Sequence, residues 1–372
     1  MEVEKRIVSL VPYKILPAHT GGQRGIAIFN QHLGREVNLT CVSVKSNDTD
    51  LATTYKLLPL LSDSPLRYIN IFSFFSLRKI IKQTKATSII VEHPYFGWLG
   101  WLIKCFCSVK LVVHTHNIEH LRFQSLGKVW WRILKLYERW VFKRADIIFC
   151  ISEEDRQVII NKLGIPASKC VIVPYGISRN NKPVEKEQIK NTVCKELSID
   201  PSVTLLFFNG ALNYKPNTDA LDAILHHINP LLLNKNYNYR IMISGKYLPE
   251  YYKELKDWKD KNVIYLGFVD DIDRYTIAAD ILLNAVTSGG GIKTKVVEAL
   301  AMNTTVISTI NGATGVSEIV CGGKLILTPD NDWTTFAEKT YQASVTPPPH
   351  IPDEFYNFFN WSSIIKRIIQ YL

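Results

Sequence analysis

Val286-Thr287-Ser288-Gly289-Gly290-Gly291-Ile292-Lys293-Thr294-Lys295-Val296-Val297-Glu298-Ala299-Leu300-Ala301 is the stretch on which the fold turns. It follows an apolar run, Asp280 to Val286, that reads as a buried strand, and it ends in good helix formers. Strand, glycine turn, helix is the expected layout. Glycines let backbone approach a ligand closely, and the free N–H groups of a following helix point at that ligand with the positive end of the dipole behind them. Lys293 and Lys295 fall in the expected first helical turn, where the dipole disfavours cations unless something negative is nearby. A diphosphate would satisfy both features. Glu298, one turn on, is placed to accept hydrogen bonds from ribose hydroxyls. A solvated surface turn is the competing reading.

The rest of the chain has to decide between them. Its 372 residues suit two domains, each able to bury a core, and 47% apolar content indicates an ordered globular protein. No segment has the roughly eighteen uncharged apolar residues of a membrane span, and the N-terminus lacks a signal-peptide layout. The expectation is a cytoplasmic protein. Seven scattered cysteines suggest buried thiols in a reducing compartment, with neither a disulfide framework nor a metal knuckle.

The net charge of +10 is uneven. Up to Val173 the chain carries 24 Lys and Arg against 13 Asp and Glu, so the whole surplus lies in the first half. Lys128, Arg132, Lys135, Arg139, Lys143 and Arg144 accompany Trp130, Trp131 and Trp140 along one expected helix. Such a helix suits the anionic inner face of a membrane, as a peripheral contact. Trp131, Leu134 and Val141 at helical spacing also fit an ordinary core.

Strand and helix signals alternate along the whole chain. The first series runs from Ile7–Val11 through Val37–Val44, Ser88–Glu92, Leu111–His114 and Ile147–Ile151 to Val171–Val173. A second series runs from Thr204–Phe208 to Thr305–Ser308, with helices expected over 217–233 and 250–259 and an irregular stretch over 49–71. This βαβ pattern predicts two mostly parallel, doubly wound sheets. We expect domains over residues 1–175 and 176–355, and a C-terminal helix over 356–372 that packs at the domain junction. Ligands of such sheets bind beyond the carboxyl ends of the strands. Gly21 and Gly22, then His93, then His116, Asn117 and Glu119 stand there in the first series. Gly210, Gly245, Gly267 and Gly289 to Gly291 do so in the second.

Neither G-x-G-x-x-G in the first βα turn nor G-x-x-x-x-G-K-[ST] occurs, which argues against nicotinamide dehydrogenases and P-loop NTPases. The basic residues match no RNA or DNA module, so no nucleic-acid partner is expected. The motifs Gly21-Gly22-Gln23-Arg24, His116-Asn117-Ile118-Glu119, Val173-Pro174-Tyr175-Gly176, Asn209-Gly210-Ala211-Leu212-Asn213-Tyr214-Lys215-Pro216-Asn217 and the opening stretch, in that order, resemble a known family. It is the GT-B glycosyltransferases of the retaining, glycogen-synthase-like group, family GT4. The resemblance implies two facing Rossmann-like domains and a nucleoside-diphosphate sugar donor. Gly210, Asn213, Lys215, Gly245, Gly289, Gly290, Gly291, Ile292, Lys293, Lys295 and Glu298 would hold that donor, with Gly21 and Gly22 closing over the sugar. His116 would stand at the reacting centre. His93, Asn117, Glu119 and Arg24 would face a glycan or lipid-linked acceptor. Neither metal nor cofactor is expected, and the anomeric configuration would be retained.

The sequence departs from the family in two places. The family's paired glutamates stand eight positions apart, and counting back from Glu298 reaches Gly290. Ala211 replaces a customary arginine, and Lys215 falls one position early. Lys293 and Lys295 are expected to carry the diphosphate charge instead. A sugar-nucleotide 2-epimerase of the same architecture, or a non-catalytic nucleotide- or partner-binding member, is also compatible with these residues.

Overall fold

The computed structural model describes residues 5–289 and 291–372; Gly290 lies outside the described residues. The chain forms two compact units, Met1–Ser178 with Phe359–Leu372, and Arg179–Phe358.

The first unit carries seven strands: β1 (Arg6–Leu10), β2 (Asn38–Val44), β3 (Lys56–Leu61), β4 (Ser88–Glu92), β5 (Lys110–His114), β6 (Ile147–Cys150) and β7 (Cys170–Ile172). They lie in the order β3-β2-β1-β4-β5-β6-β7, and every pairing is parallel. Helices cover a parallel sheet on both faces, so its strands read as unbroken apolar runs. Ser88-Ile89-Ile90-Val91-Glu92 is accordingly buried at all five positions. Val8, Leu10, Ile89, Val91, Leu111, Val113, Val141 and Ile148 belong to the core. Strand β3 was not expected, because the stretch 49–71 mixes Pro59 with polar turn residues. It sits at the sheet edge, where proline is tolerated.

The second unit has β8 (Thr204–Asn209), β9 (Tyr239–Ser244), β10 (Val263–Gly267), β11 (Ile281–Asn284), β12 (Thr305–Thr309) and β13 (Leu325–Thr328), ordered β10-β9-β8-β11-β12-β13 and again all parallel. Two expected helices differ. Residues Glu250–Lys261 form 3₁₀ turns broken by left-handed Lys253, Glu254 and Leu255. The helix expected over 217–233 runs as Lys215–Ala223, a π-helical turn over Ile224–Ile228, and Asn229–Leu233. Pro230 has no N–H to give, and the wider turn absorbs it.

The C-terminal segment belongs to the first unit. Trp361 opens the helix Trp361–Ile368, is 2% exposed, and meets Phe29 and Tyr175 edge-on at 6.2 and 5.9 Å. Asn360 caps this helix through its side-chain oxygen, which accepts from the N–H groups of Ser362 and Ser363.

In each sheet the chain winds outward from one strand and then restarts on the other side. These switch points lie between β1 and β4 in the first unit and between β8 and β11 in the second. Loops leaving neighbouring carboxyl ends diverge there and open a crevice.

Candidate functional site

The second switch point is a set of glycine turns around two lysines. A Cβ on Gly245 would stand 1.9 Å from the Gly210 carbonyl oxygen, so the loops after β8 and β9 approach too closely for any side chain there. Gly289 adopts φ +89°, which glycine takes without strain, and lies against Tyr214 and Pro216. The helix after the turn is Thr294–Ala301, one residue later than expected, which makes Lys293 its N-cap and leaves Lys295 in the first turn. Lys293 Nζ donates to the carbonyls of Gly289 (2.9 Å) and Gly291 (3.0 Å). Lys295 Nζ donates to the Asn209 carbonyl (3.1 Å) and Asn217 Oδ1 (3.4 Å) and lies 4.6 Å from the Phe208 ring centroid. Among the described residues no carboxylate pairs with Lys295.

Desolvation by burial, with the neighbouring Lys293 charge, pulls the Lys295 pKa down to about 7, and desolvation brings Lys293 to about 8. The Lys295 amine therefore gains charge when an anion arrives beside it. Glu298 follows on the same helix, partly buried. Ile292 packs beneath Gly315. Asn213 is exposed. Lys215, between Tyr214 and Pro216, turns its side chain to solvent: it is 83% exposed and pairs with Asp219 at 2.9 Å.

The first switch point is built from imidazoles and carboxylates. His116 Nε2 lies 2.6 Å from Glu92 Oε2, and Glu92 is wholly buried at the end of β4. Burial alone would raise the Glu92 pKa, but His114 and His116 beside it more than reverse this and hold it well below the usual carboxylate range. An ionised carboxylate only accepts, so His116 donates through Nε2 and leaves Nδ1 as an acceptor. Burial, then the neighbouring His114, lowers the His116 pKa, so its imidazole is neutral at neutral pH.

His93 is the residue after β4 and adopts φ 63°, ψ 155°, a strained backbone for a side chain of that size. Its Nδ1 lies 3.0 Å from Glu119 Oε1, and its Nε2 lies 2.7 Å from the Tyr13 hydroxyl. The His93 and His116 ring centroids are 4.6 Å apart. Glu119 is fully buried and also accepts from Arg122 (3.2 Å). Glu138 in turn accepts from the N–H groups of Glu119 and His120 and from His120 Nδ1, anchoring this corner.

Gly21 and Gly22 are exposed in the first turn of the helix Gly21–Glu36, which Thr20 and Gln23 close with a reciprocal capping box. Arg24 is exposed on that turn, and Asn117 is partly buried beside His116. Glu92, His114 and His116 form a trio whose ligand atoms all lie within 4.8 Å of one another. His116 Nε2 lies 2.6 Å from Glu92 Oε2, a hydrogen-bonding separation, and His114 Nδ1 lies 3.0 Å from the same oxygen. Donors around a tetrahedral zinc at about 2.0 Å would stand about 3.3 Å apart.

Tyr13, Glu92 and His114 were not expected from the sequence. The signal available was that the strand Ser88–Glu92 ends in a charged residue at a fully buried position, which requires a partner in space.

Two glycosyltransferase family models match the chain. The model described as "Glycosyl transferases group 1" matches residues 203–344, and that of "Glycosyltransferase Family 4" matches residues 21–181. The two models fall one in each unit and together span most of the chain. An Escherichia coli O-antigen biosynthesis glycosyltransferase, WbnH, is 20% identical over 213 residues, covering 56% of this chain and 54% of that protein. The E. coli UDP-Gal:alpha-D-GlcNAc-diphosphoundecaprenol alpha-1,3-galactosyltransferase is 23% identical over 230 residues, covering 57% of this chain and 54% of that protein. The chain thus spans about half the length of the curated relatives it matches. Among solved structures, Anabaena HepE in complex with UDP superposes with a TM-score of 0.72 at 13% identity, over 98% of this chain and 99% of that one. That likeness shows the GT-B fold.

Proposed function

We propose that this glycosyltransferase moves a sugar from a nucleoside-diphosphate donor to a lipid-linked glycan acceptor in cell-envelope polysaccharide assembly, with retention of anomeric configuration and no requirement for a metal. The observation that carries the donor half is Lys295, a partly buried amine among carbonyls and amide oxygens at a glycine turn. A diphosphate there gains two charged donors together with the N–H groups of the following helix. The same groups stabilise the leaving diphosphate as the bond to the sugar breaks. Glu298, one turn further along the same helix, would accept from the ribose hydroxyls. In the first unit Glu92 fixes the His116 tautomer and leaves Nδ1 to accept from a substrate hydroxyl.

The acceptor half rests on the relatives, one of which is described as acting on a diphosphoundecaprenol substrate. The surface of the first unit also supports it. Leu126, Val129, Trp130, Ile133 and Leu136 are exposed, Ile133 at 71%, next to Lys128, Arg132 and Arg139. Leu134 and Val141 of the same helix are buried, so the apolar content expected to be core divides between core and surface. Exposed apolar side chains among cations suit the anionic face of a bilayer where a lipid-linked acceptor resides. No helix among the described residues is long and apolar enough to cross a membrane.

The test is a thermal-shift screen of UDP-, GDP- and ADP-sugars against the wild type and Glu298→Ala, followed by turnover and NMR of the product anomer. One sugar nucleotide stabilising the wild type and not the variant supports the reading. A ligand that binds only the native state must shift the midpoint, so a flat response across the whole screen refutes it.

A further inference from the structure

In the first unit an apolar cavity of about 140 Å³ lies between the sheet and the helix Ser73–Thr84. Leu10, Val42, Leu61, Leu77 and Leu99 line it and are buried, whereas Leu60 and Phe72, which also line it, are exposed, Phe72 at 74%. The cavity therefore opens to solvent through apolar side chains. A dry apolar cavity of about 150 Å³ accepts benzene, and a branched five-carbon isoprene unit is of similar size. Apolar surface continues from the opening: Ile69 and Phe75 are exposed, and the Phe74 ring lies 5.5 Å from those of Phe75 and of the exposed Phe106. A contiguous patch of this kind marks an interaction surface. Residues 64–85 carry five cations and no carboxylate, so the surface suits a ligand that joins an apolar chain to negative charge.

The cavity also stands beside polar groups. Arg67 Nε donates to the Pro12 carbonyl (2.7 Å) and Trp98 Nε1 to the Tyr68 carbonyl (2.9 Å). These bonds fasten the segment over 65–72 to the loop after β1 and to the helix Gly97–Cys107 after β4, the two sides of the first switch point. Tyr68 meets Tyr95 edge-on at 5.8 Å, and Tyr95 stacks on His93 at 5.3 Å. Polar groups that suit a sugar and a cavity that suits a hydrocarbon thus adjoin within one unit. We propose that the cavity holds an isoprene unit of the acceptor's polyprenyl chain, with the positive charge of residues 64–85 attracting its diphosphate. The inference rests on the lipid-linked acceptor proposed above. A bilayer merely covering the patch would have no use for the cavity behind it.

The experiment titrates farnesyl diphosphate and inorganic diphosphate, free of detergent and vesicles, into the wild type, Leu60→Ser with Phe72→Ser, and Ser76→Phe. The first variant makes the opening polar, and the second narrows the cavity from an exposed helical position that lines it. Each buried CH2 favours binding by about fourfold. Farnesyl diphosphate should therefore bind the wild type more tightly than inorganic diphosphate does, and bind both variants more weakly by about tenfold or more. Inorganic diphosphate should bind all three proteins alike, and each variant should keep the wild-type melting temperature. In turnover, the KM for undecaprenyl-diphosphate-linked N-acetylglucosamine should rise by a similar factor in both variants. Farnesyl diphosphate binding that is equal in all three proteins, or no tighter than that of inorganic diphosphate to the wild type, overturns the proposal. Equal binding with lost co-sedimentation on phosphatidylglycerol vesicles also overturns it and makes the patch a bilayer contact. Chain binding is read without turnover, so a wild type that shows this preference and transfers no sugar overturns the acceptor reading and leaves the cavity as a chain site.

Discussion

The two switch points occupy equivalent places in similar sheets and solve opposite problems. Around β4 and β5 each ionisable side chain meets a partner: His116 meets Glu92, His93 meets Glu119 and Tyr13, His120 meets Glu138. Around β8 and β11 the amines of Lys293 and Lys295 rest on carbonyl and amide oxygens. A cluster paired largely within itself orients groups before a substrate arrives, although Glu92 Oε1 and His114 Nδ1 are left without a hydrogen bond. A cationic pocket lined by neutral oxygens has lowered amine pKa values, and a bound polyanion reverses that shift. The first site is organised for positioning and the second for capture.

The most severe way to break the comparison is to remove the captor. Lys295→Met should lower donor turnover by about 10²-fold, the scale of losing one transition-state donor, while the ligand-free variant unfolds no earlier than wild type. A steady-state assay and a melting curve decide it, and a variant that melts much earlier while still binding donor would make Lys295 a packing residue.

Titration sharpens the same contrast. The folded pKa of Lys295 is about 7 against 10.5 ordinarily, so between those values the unfolded chain binds more protons. Its contribution therefore makes the ligand-free protein more stable as pH rises through that window, and the penalty is complete below pH 7. Lys186, also lowered to about 7 by burial, acts in the same direction. The quantity to measure is therefore the difference between wild type and Lys295→Met from pH 7 to 9, which should narrow with rising pH.

At the partnered site the loss is of orientation. Glu92→Gln can present its amide nitrogen to His116 and free the wrong tautomer, so kcat should fall by about tenfold or more, with donor affinity retained. Equal kcat in the variant would detach Glu92 from the chemistry. On the basic face, Ile133→Glu with Leu136→Glu should abolish co-sedimentation with vesicles containing phosphatidylglycerol while leaving the melting temperature unchanged. The smallest effect belongs to Lys215→Ala. Its pair with Asp219 is exposed and of the class worth about 0.2–1 kcal/mol, and donor affinity should stay within about twofold.

How much of this was legible in the sequence differs between the sites for a physical reason. The capture site is local: the strand over 281–284, the glycine turn and the lysines follow one another in the chain, so periodicity and glycine content reveal them. The positioning site joins Tyr13, Glu92, His93, His116 and Glu119 across more than a hundred residues, and only the parallel register of β1, β4 and β5 brings them together. His93, His116 and Glu119 were recognisable as strand-end polar residues. Tyr13 was not, because it sits two residues into a long loop beside prolines. Lys215 shows the converse, since position in the family motif suggested a phosphate ligand and an aspartate one helical turn later claims it. Strand β3 and the broken 250–261 segment were missed because edge strands and left-handed turns leave weak periodicity.

The most direct measurement is isothermal titration of UDP, GDP and ADP into wild type and Lys295→Met at pH 8, repeated in two buffers of different ionisation enthalpy. At that pH the Lys295 amine is largely neutral in the ligand-free protein. One nucleotide should bind the wild type with a buffer-dependent enthalpy that reports net proton uptake, and should bind the variant far more weakly with that uptake reduced. Binding of equal strength to both proteins, with no proton taken up, would contradict diphosphate capture at the β8–β11 switch point.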